Sequence, residues 1–126
     1  MSKSVLSFKG APAPLAPYSV AVEAAGLIFI SGQVAIDPST GATPEGIEAQ
    51  TRLVMDNIGR LLGELGLGYD DLVKTTIFLK DIDDFGAVNA EYGSYFASDP
   101  PARTTVQAGA LPAPQFLLEI ESIATR

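Results

Sequence analysis

The segment from Pro44 to Leu79, PEGIEAQTRLVMDNIGRLLGELGLGYDDLVKTTIFL, decides the fold because its side-chain period changes partway along. In its first part, residues at spacings of three and four predict one buried stripe of a helix, from about Pro44 to Leu65. That stripe comprises Ile47, Thr51, Val54, Ile58, Leu61, Leu62 and Leu65. Gly66 or Gly68 can supply the C-cap that ends the helix. From Val73 to Leu79 the period becomes two, which predicts a strand.

The residues that follow predict a second helix and two more strands. Asp81 to Asp84 offers turn and N-cap residues, and the helix after it has a stripe of Phe85, Val88, Tyr92, Tyr95 and Phe96. Asp99-Pro-Pro101 ends this helix, because proline lacks an N–H donor and restricts the residue before it. Strands are then expected at about Arg103 to Ala110 and Phe116 to Thr125.

The residues before the segment predict three strands. Val5 to Lys9 fits a short strand, and Ala11 to Pro17 is expected to form a rigid extended loop because of its three prolines. Ser19 to Ala24 alternates as strands do, and Ala25-Gly26 is a turn signal. Leu27 to Ser31 is an apolar run typical of a strand covered on both faces.

The resulting order, β-β-β-α-β-α-β-β, predicts an α+β fold in which a single mixed sheet carries both helices on one face. The opposite face also needs a cover, since the strands carry apolar residues on both sides. No further helix is predicted, so we expect another copy of the chain to supply that cover. The length of 126 residues fits one domain, and we treat residues 1–126 as that domain.

Composition excludes several classes of function. The chain has no cysteine and no histidine, which removes Cys–His and Ser–His–Asp catalysis and the usual zinc sites. Its net charge of −7, with the basic residues scattered, argues against a nucleic-acid partner. The longest apolar run, Leu27 to Ile30, is too short to span a membrane, and residues 1–9 lack the pattern of a secretory signal. We therefore expect a cytoplasmic protein that binds neither nucleic acid nor a membrane.

Arg103 is the first candidate for chemistry. It follows the rigid Pro100-Pro-Ala turn at the start of a predicted strand, and it shares one strand face with Thr105 and Gln107. A guanidinium held in this way suits bidentate capture of a carboxylate or phosphate. The alternative is a surface arginine that pairs with a nearby acid.

Four other positions offer weaker signals. Glu119 shares a strand face with Glu121, an arrangement that serves acid–base chemistry but is also common on solvated sheets. Asn89 lies inside the apolar stripe of the second helix, where an amide needs a partner, unless it lies only at the edge of the stripe. Gly32 allows a ligand to approach the backbone or simply ends a strand. Tyr18 can line a ligand site or serve in packing.

Taken together, these features are similar to a known family. The sequence resembles the RidA/YjgF proteins, also called endoribonuclease L-PSP-like, along essentially its whole length. The blocks that carry the resemblance are Ala16-Pro-Tyr-Ser19, Phe29-Ile-Ser-Gly-Gln33, Gly46-Ile-Glu-Ala-Gln-Thr51, Val73-Lys-Thr-Thr76, Phe85 to Asn89, Pro101-Ala-Arg103 and Glu119-Ile-Glu121.

The resemblance implies a chorismate-mutase-like fold and a homotrimer with clefts between its subunits. It implies hydrolytic deamination of 2-iminobutanoate, 2-iminopropanoate or similar enamine acids to 2-oxo acids and ammonia, with no cofactor or metal. In this reading Arg103 binds the substrate carboxylate and Glu119 positions or activates water. The resemblance also places Tyr18, Gly32, Asn89 and Thr105 at the substrate; the best-known members have cysteine in place of Thr105.

Two other functions remain open from the sequence. The same arginine could hold a small carboxylic acid without converting it, which would make the protein a binding or regulatory trimer. RNA cleavage, which the older family name suggests, fits poorly with an acidic chain that has no histidine.

Overall fold

The computed structural model describes residues 2–126, and its strands and α-helices follow the predicted order. The elements are β1 (Ser4–Leu6), β2 (Ala21–Ala24), β3 (Leu27–Gln33), α1 (Ile47–Glu64), β4 (Leu72–Leu79), α2 (Phe85–Gly93), β5 (Ala102–Gln107) and β6 (Leu118–Thr125). Single 3₁₀ turns at Tyr69–Asp71 and Ile82–Asp84 precede β4 and α2. No helix among these residues is both long and apolar enough to cross a bilayer.

All six strands form one mixed sheet in the order β1-β2-β3-β6-β4-β5. Within the sheet formed by residues 2–126, β4 and β5 pair in parallel and the other neighbouring strands pair antiparallel. The two helices pack on each other and on one face of the sheet, where they bury a continuous hydrophobic core. The predicted α+β fold with a single mixed sheet and both helices on one face is therefore confirmed.

Helix α1 shows why its stripe was readable from the sequence. The stripe is buried up to Leu62, including Thr51, whose hydroxyl donates to the Ile47 carbonyl oxygen at 2.7 Å. The helix ends in a Schellman motif: Gly66 has φ +74°, and the Leu67 N–H donates to the Leu62 carbonyl at 2.9 Å. Of the two glycines considered as caps, Gly66 is thus the one that serves.

The aromatic stripe predicted a second helix that extends to Phe96, but helix α2 ends at Gly93. The Ser94 hydroxyl donates to the Glu91 carbonyl at 2.6 Å, a local bond that competes with helical pairing. Beyond it, Asp99 adopts φ +48°, a conformation that aspartate tolerates better than most residues, just ahead of Pro100. This turn sets the direction in which β5 begins.

The face of the sheet opposite the helices is uncovered in a single chain, and we call it the open face. Phe29 in β3 lies on it and is 40% exposed, and Val106 in β5 is 41% exposed. The neighbours of Phe29 along β3, Ile28 and Ile30, are buried under the helices. The expectation that β3 is covered on both faces is therefore met on one face only within one chain.

Candidate functional site

Arg103 points from β5 toward helix α2, where three side chains hold its guanidinium. Its Nη2 donates to the Asn89 side-chain oxygen at 2.6 Å. Its guanidinium carbon lies 5.1 Å from the ring centre of Tyr92 and 5.4 Å from that of Phe85. Cation–π contacts of this kind attract the guanidinium to the two rings. Arg103 and Asn89, which the sequence singled out separately, thus form one contact.

A cleft of about 430 Å³ opens beside this guanidinium. It is lined by Asn89, Tyr92, Gly93, Phe96, Ala97, Ser98, Pro100, Pro101 and Arg103. Most of these residues are apolar, and Arg103 is the charged one among them. Among residues 2–126, Asn89 is the one hydrogen-bond acceptor that the Arg103 guanidinium contacts, which leaves further N–H donors for a planar anion.

The other two residues on this strand face have different environments. Thr105 is half-buried, and its hydroxyl oxygen is enclosed without a hydrogen-bond partner among the described residues. Gln107 accepts a hydrogen bond from the Ile82 N–H at 2.8 Å, so it holds the turn that leads into α2. We call Asn89, Arg103 and Thr105 the arginine cluster.

Glu119, in β6, lies directly over Gly32 in β3. A Cβ atom at Gly32 would overlap the Glu119 carboxylate, so glycine is required for this approach. Burial raises the pKa of Glu119, and repulsion from Glu121 raises it further. A carboxyl group whose pKa is moved toward neutrality is suited to accepting and returning a proton. Glu121 itself is exposed.

Tyr18 is 58% exposed and lines a groove of about 300 Å³ together with Gly32. It follows the proline-rich loop, which brings it to the end of β3. Tyr18, Gly32 and Glu119 are called the glutamate cluster below.

The side chains of Arg103 and Glu119 lie on opposite faces of the sheet. Arg103 is paired in register with Thr75, which is buried under the helices. Glu119 is paired with Phe78, whose side chain points to the open face. Strand β4 also separates β5 from β6. The structure therefore brings Arg103 together with Asn89 and Glu119 together with Gly32, and it does not join these two pairs within residues 2–126 of one chain.

Phe85 and Tyr92 were predicted only as core residues of the second helix. They lie four residues before and three residues after Asn89, so all three share one side of α2. An asparagine flanked by aromatic residues at helical spacing was the sequence signal that this side of α2 could bind a cationic side chain as well as pack into the core.

Comparison with known proteins gives a consistent family. The sequence profile described as Endoribonuclease L-PSP matches residues 8–126. The 2-iminobutanoate/2-iminopropanoate deaminase of Salmonella typhimurium is 40% identical over 129 residues, covering 100% of this chain and 99% of the relative. A Rid-family protein from Yersinia pestis has a solved structure with TM-score 0.92 and 44% identity, covering 99% of this chain and 100% of that one. The structure of Escherichia coli TdcF with bound serine has TM-score 0.89 and 33% identity, covering 98% of each chain.

Proposed function

Because the chain belongs to the Endoribonuclease L-PSP family, we propose that it hydrolyses small 2-imino acids, such as 2-iminobutanoate or 2-iminopropanoate, to 2-oxo acids and ammonia. The observation that carries the proposal is the Arg103 guanidinium, held by Asn89 and two rings at the wall of a cleft of about 430 Å³. Its unused N–H donors fit the carboxylate of such an acid.

The chemistry asks little of the protein, since an imine carbon is already electrophilic. Water adds to C2 of the substrate, the C2–N bond then breaks, and ammonia leaves as the 2-oxo group forms. Arg103 binds the carboxylate and fixes the position of C2. Glu119 takes a proton from the attacking water and passes it to the imine nitrogen, which gives a carbinolamine. It then takes the proton of the new C2 hydroxyl and passes it to the leaving nitrogen, so both hydrogens of the water depart with ammonia; the raised pKa of Glu119 favours this role. Most of the gain comes from positioning and fixed electrostatics.

The site is proposed to form between subunits of a homotrimer with the chorismate-mutase-like arrangement. The separation of the two clusters within one chain supports this assembly, because the glutamate cluster of one copy can face the arginine cluster of the next. The exposed apolar side chains of the open face, such as Phe29 and Val106, also favour cover by further copies. Tyr18, Gly32 and Thr105 then line the substrate along with the charged residues.

Arg103→Ala is expected to retain the fold and assembly but to lose imine hydrolysis, by about 2–4 kcal/mol in kcat/KM. The assay generates the imine in place with an amino-acid oxidase or threonine dehydratase and follows its disappearance. Arg52→Ala is the matched control: it removes an exposed arginine whose pairing with Glu91 contributes little. Undiminished turnover by a well-folded Arg103→Ala would refute the role of the arginine.

The second candidate is a protein that binds a small carboxylic acid without converting it. The bound serine in the TdcF structure favours it, since serine is a small acid of similar size. Wild-type protein that binds 2-oxobutanoate but does not accelerate imine hydrolysis would support this candidate over the deaminase.

A further inference from the structure

Arg103 depends on its surroundings for a fixed orientation. An arginine side chain has several rotatable bonds, and its single hydrogen bond to Asn89 does not by itself define the plane of the guanidinium. The rings of Tyr92 and Phe85 supply the missing restraint, at 5.1 and 5.4 Å from the guanidinium carbon. Phe85 is 43% exposed, whereas Tyr92 is 4% exposed, so Tyr92 is the rigid side of the pair.

The Tyr92 ring is itself fixed at its far end. Its hydroxyl lies 2.7 Å from the Thr75 hydroxyl, and Thr75 is fully buried. Thr75 lies in β4 directly beside Arg103, its partner in the parallel β4–β5 register. The three residues therefore form a closed set: the strand pair sets the distance between Thr75 and Arg103, and Tyr92 spans them from α2.

Of the three residues in this contact, Arg103 carries a charge and the two hydroxyl groups do not. Burial raises the pKa of Tyr92 above its ordinary value, so its hydroxyl remains protonated at physiological pH and can share a hydrogen bond with Thr75. Among the described residues, no carboxylate forms an ion pair with Arg103. The orientation of the guanidinium thus comes from the amide and the rings rather than from a competing acid.

From these contacts we infer that the Thr75–Tyr92 hydroxyl pair is a positioning device for Arg103, which sets the plane of the guanidinium for the substrate carboxylate. Neither residue needs to contact the reacting atoms. The inference rests on the proposed function, because it assigns how that site binds its carboxylate. It predicts that loss of either hydroxyl weakens binding of the substrate carboxylate.

The test compares variants of nearly unchanged volume. Thr75→Val and Tyr92→Phe each remove one hydroxyl, and Thr75→Ser restores it. Tyr95→Phe is the matched control, because the Tyr95 hydroxyl also has a hydrogen-bonded partner, Asp56 at 2.8 Å, but does not contact Arg103. KM and kcat are measured in the coupled imine assay, the Kd of 2-oxobutanoate by calorimetry, and stability by thermal unfolding.

Thr75→Val and Tyr92→Phe are expected to raise KM and the Kd of 2-oxobutanoate by about tenfold, as a displaced binding group does. Their kcat should fall as well, because a tilted guanidinium no longer fixes C2 against the attacking water, so the Kd of 2-oxobutanoate is the readout that isolates binding. Thr75→Ser and Tyr95→Phe should keep wild-type KM and Kd, even where thermal stability falls. If Thr75→Val does not fold, Tyr92→Phe decides alone.

Lower thermal stability of Thr75→Val and Tyr92→Phe with unchanged KM and Kd would overturn the positioning role and leave the proposed function intact. Wild-type protein that neither binds 2-oxobutanoate nor hydrolyses the imine would overturn both.

Discussion

Glu119 sits over Gly32 in a half-buried position, and this raises the pKa of its carboxyl group above the ordinary glutamate value of 4.5. As the proposed base it acts when deprotonated, so kcat/KM should fall as the pH drops through this raised pKa. The acid limb of the pH profile is therefore expected above pH 4.5. Glu119→Gln should lose activity by about 100-fold and lose this limb as well.

The measurement is kcat/KM against pH for wild type, Glu119→Gln and Glu121→Gln. Glu121→Gln keeps the proposed base but removes the repulsion that helps to raise its pKa, so this variant should keep the acid limb and shift it to lower pH. An unchanged limb in Glu119→Gln would assign the titration to another group.

Gly32 offers a second test at this scale. In Gly32→Ala, the new Cβ overlaps the end of a flexible side chain, so Glu119 moves and the backbone does not need to. The protein should fold normally and lose about tenfold or more in turnover, because the carboxylate is displaced from the water. Gly109→Ala is the control, since a Cβ there meets no atom within 4 Å. Full activity in Gly32→Ala would show that the position of Glu119 is unimportant.

Single residues were predicted as candidates, but their contacts were not. Arg103 and Asn89 were each identified from local pattern, whereas their 2.6 Å bond depends on the packing of α2 over β5. The approach of Glu119 to Gly32 requires the pairing of β3 with β6, whose register shifts between Ile30 and Gln33. Such long-range pairing leaves no local signal in the sequence.

At the scale of elements, the end of α1 gives a prediction about stability. Gly66→Ala forces alanine into φ +74° and should destabilise the fold by about 1 kcal/mol. Gly63→Ala, three residues earlier, lies on the exposed side of the helix with open space around it. The same substitution there should stabilise by about 0.5–1 kcal/mol. Urea unfolding at one protein concentration measures both changes, and equal shifts of the same sign would contradict the Schellman assignment.

Helices and strands were predictable where a single spacing of buried side chains ran through the whole segment. The stripe of α1 and the alternation of β4 gave those elements to within a few residues. The end of β5 was predicted at Ala110, but it lies at Gln107 because its partner β4 ends at Leu79. A strand extends only as far as its neighbour, and the sequence of β5 does not contain that limit.

At the scale of the whole molecule, the separation of the clusters predicts an outcome for mixed assemblies. Arg103→Ala and Glu119→Gln should each be inactive alone. When the two are co-expressed and purified together, about a quarter of the contacts in a head-to-tail ring combine an intact Arg103 with an intact Glu119. Activity should return to about that fraction of wild type.

Mixing the two purified variants without subunit exchange is the control, and it should remain inactive. Co-expressed protein that stays inactive despite forming mixed assemblies would show that both residues act within one chain.

The sheet that carries Arg103 on one side and Glu119 on the other also acts as a partition. In the proposed arrangement, the guanidinium and the carboxylate of a single copy cannot act on the same substrate molecule. A newly synthesised copy is therefore inactive until it assembles with others. Turnover then depends on the abundance of the protein more steeply than in direct proportion. Diluted below the concentration at which copies stay together, the protein would therefore lose activity per molecule.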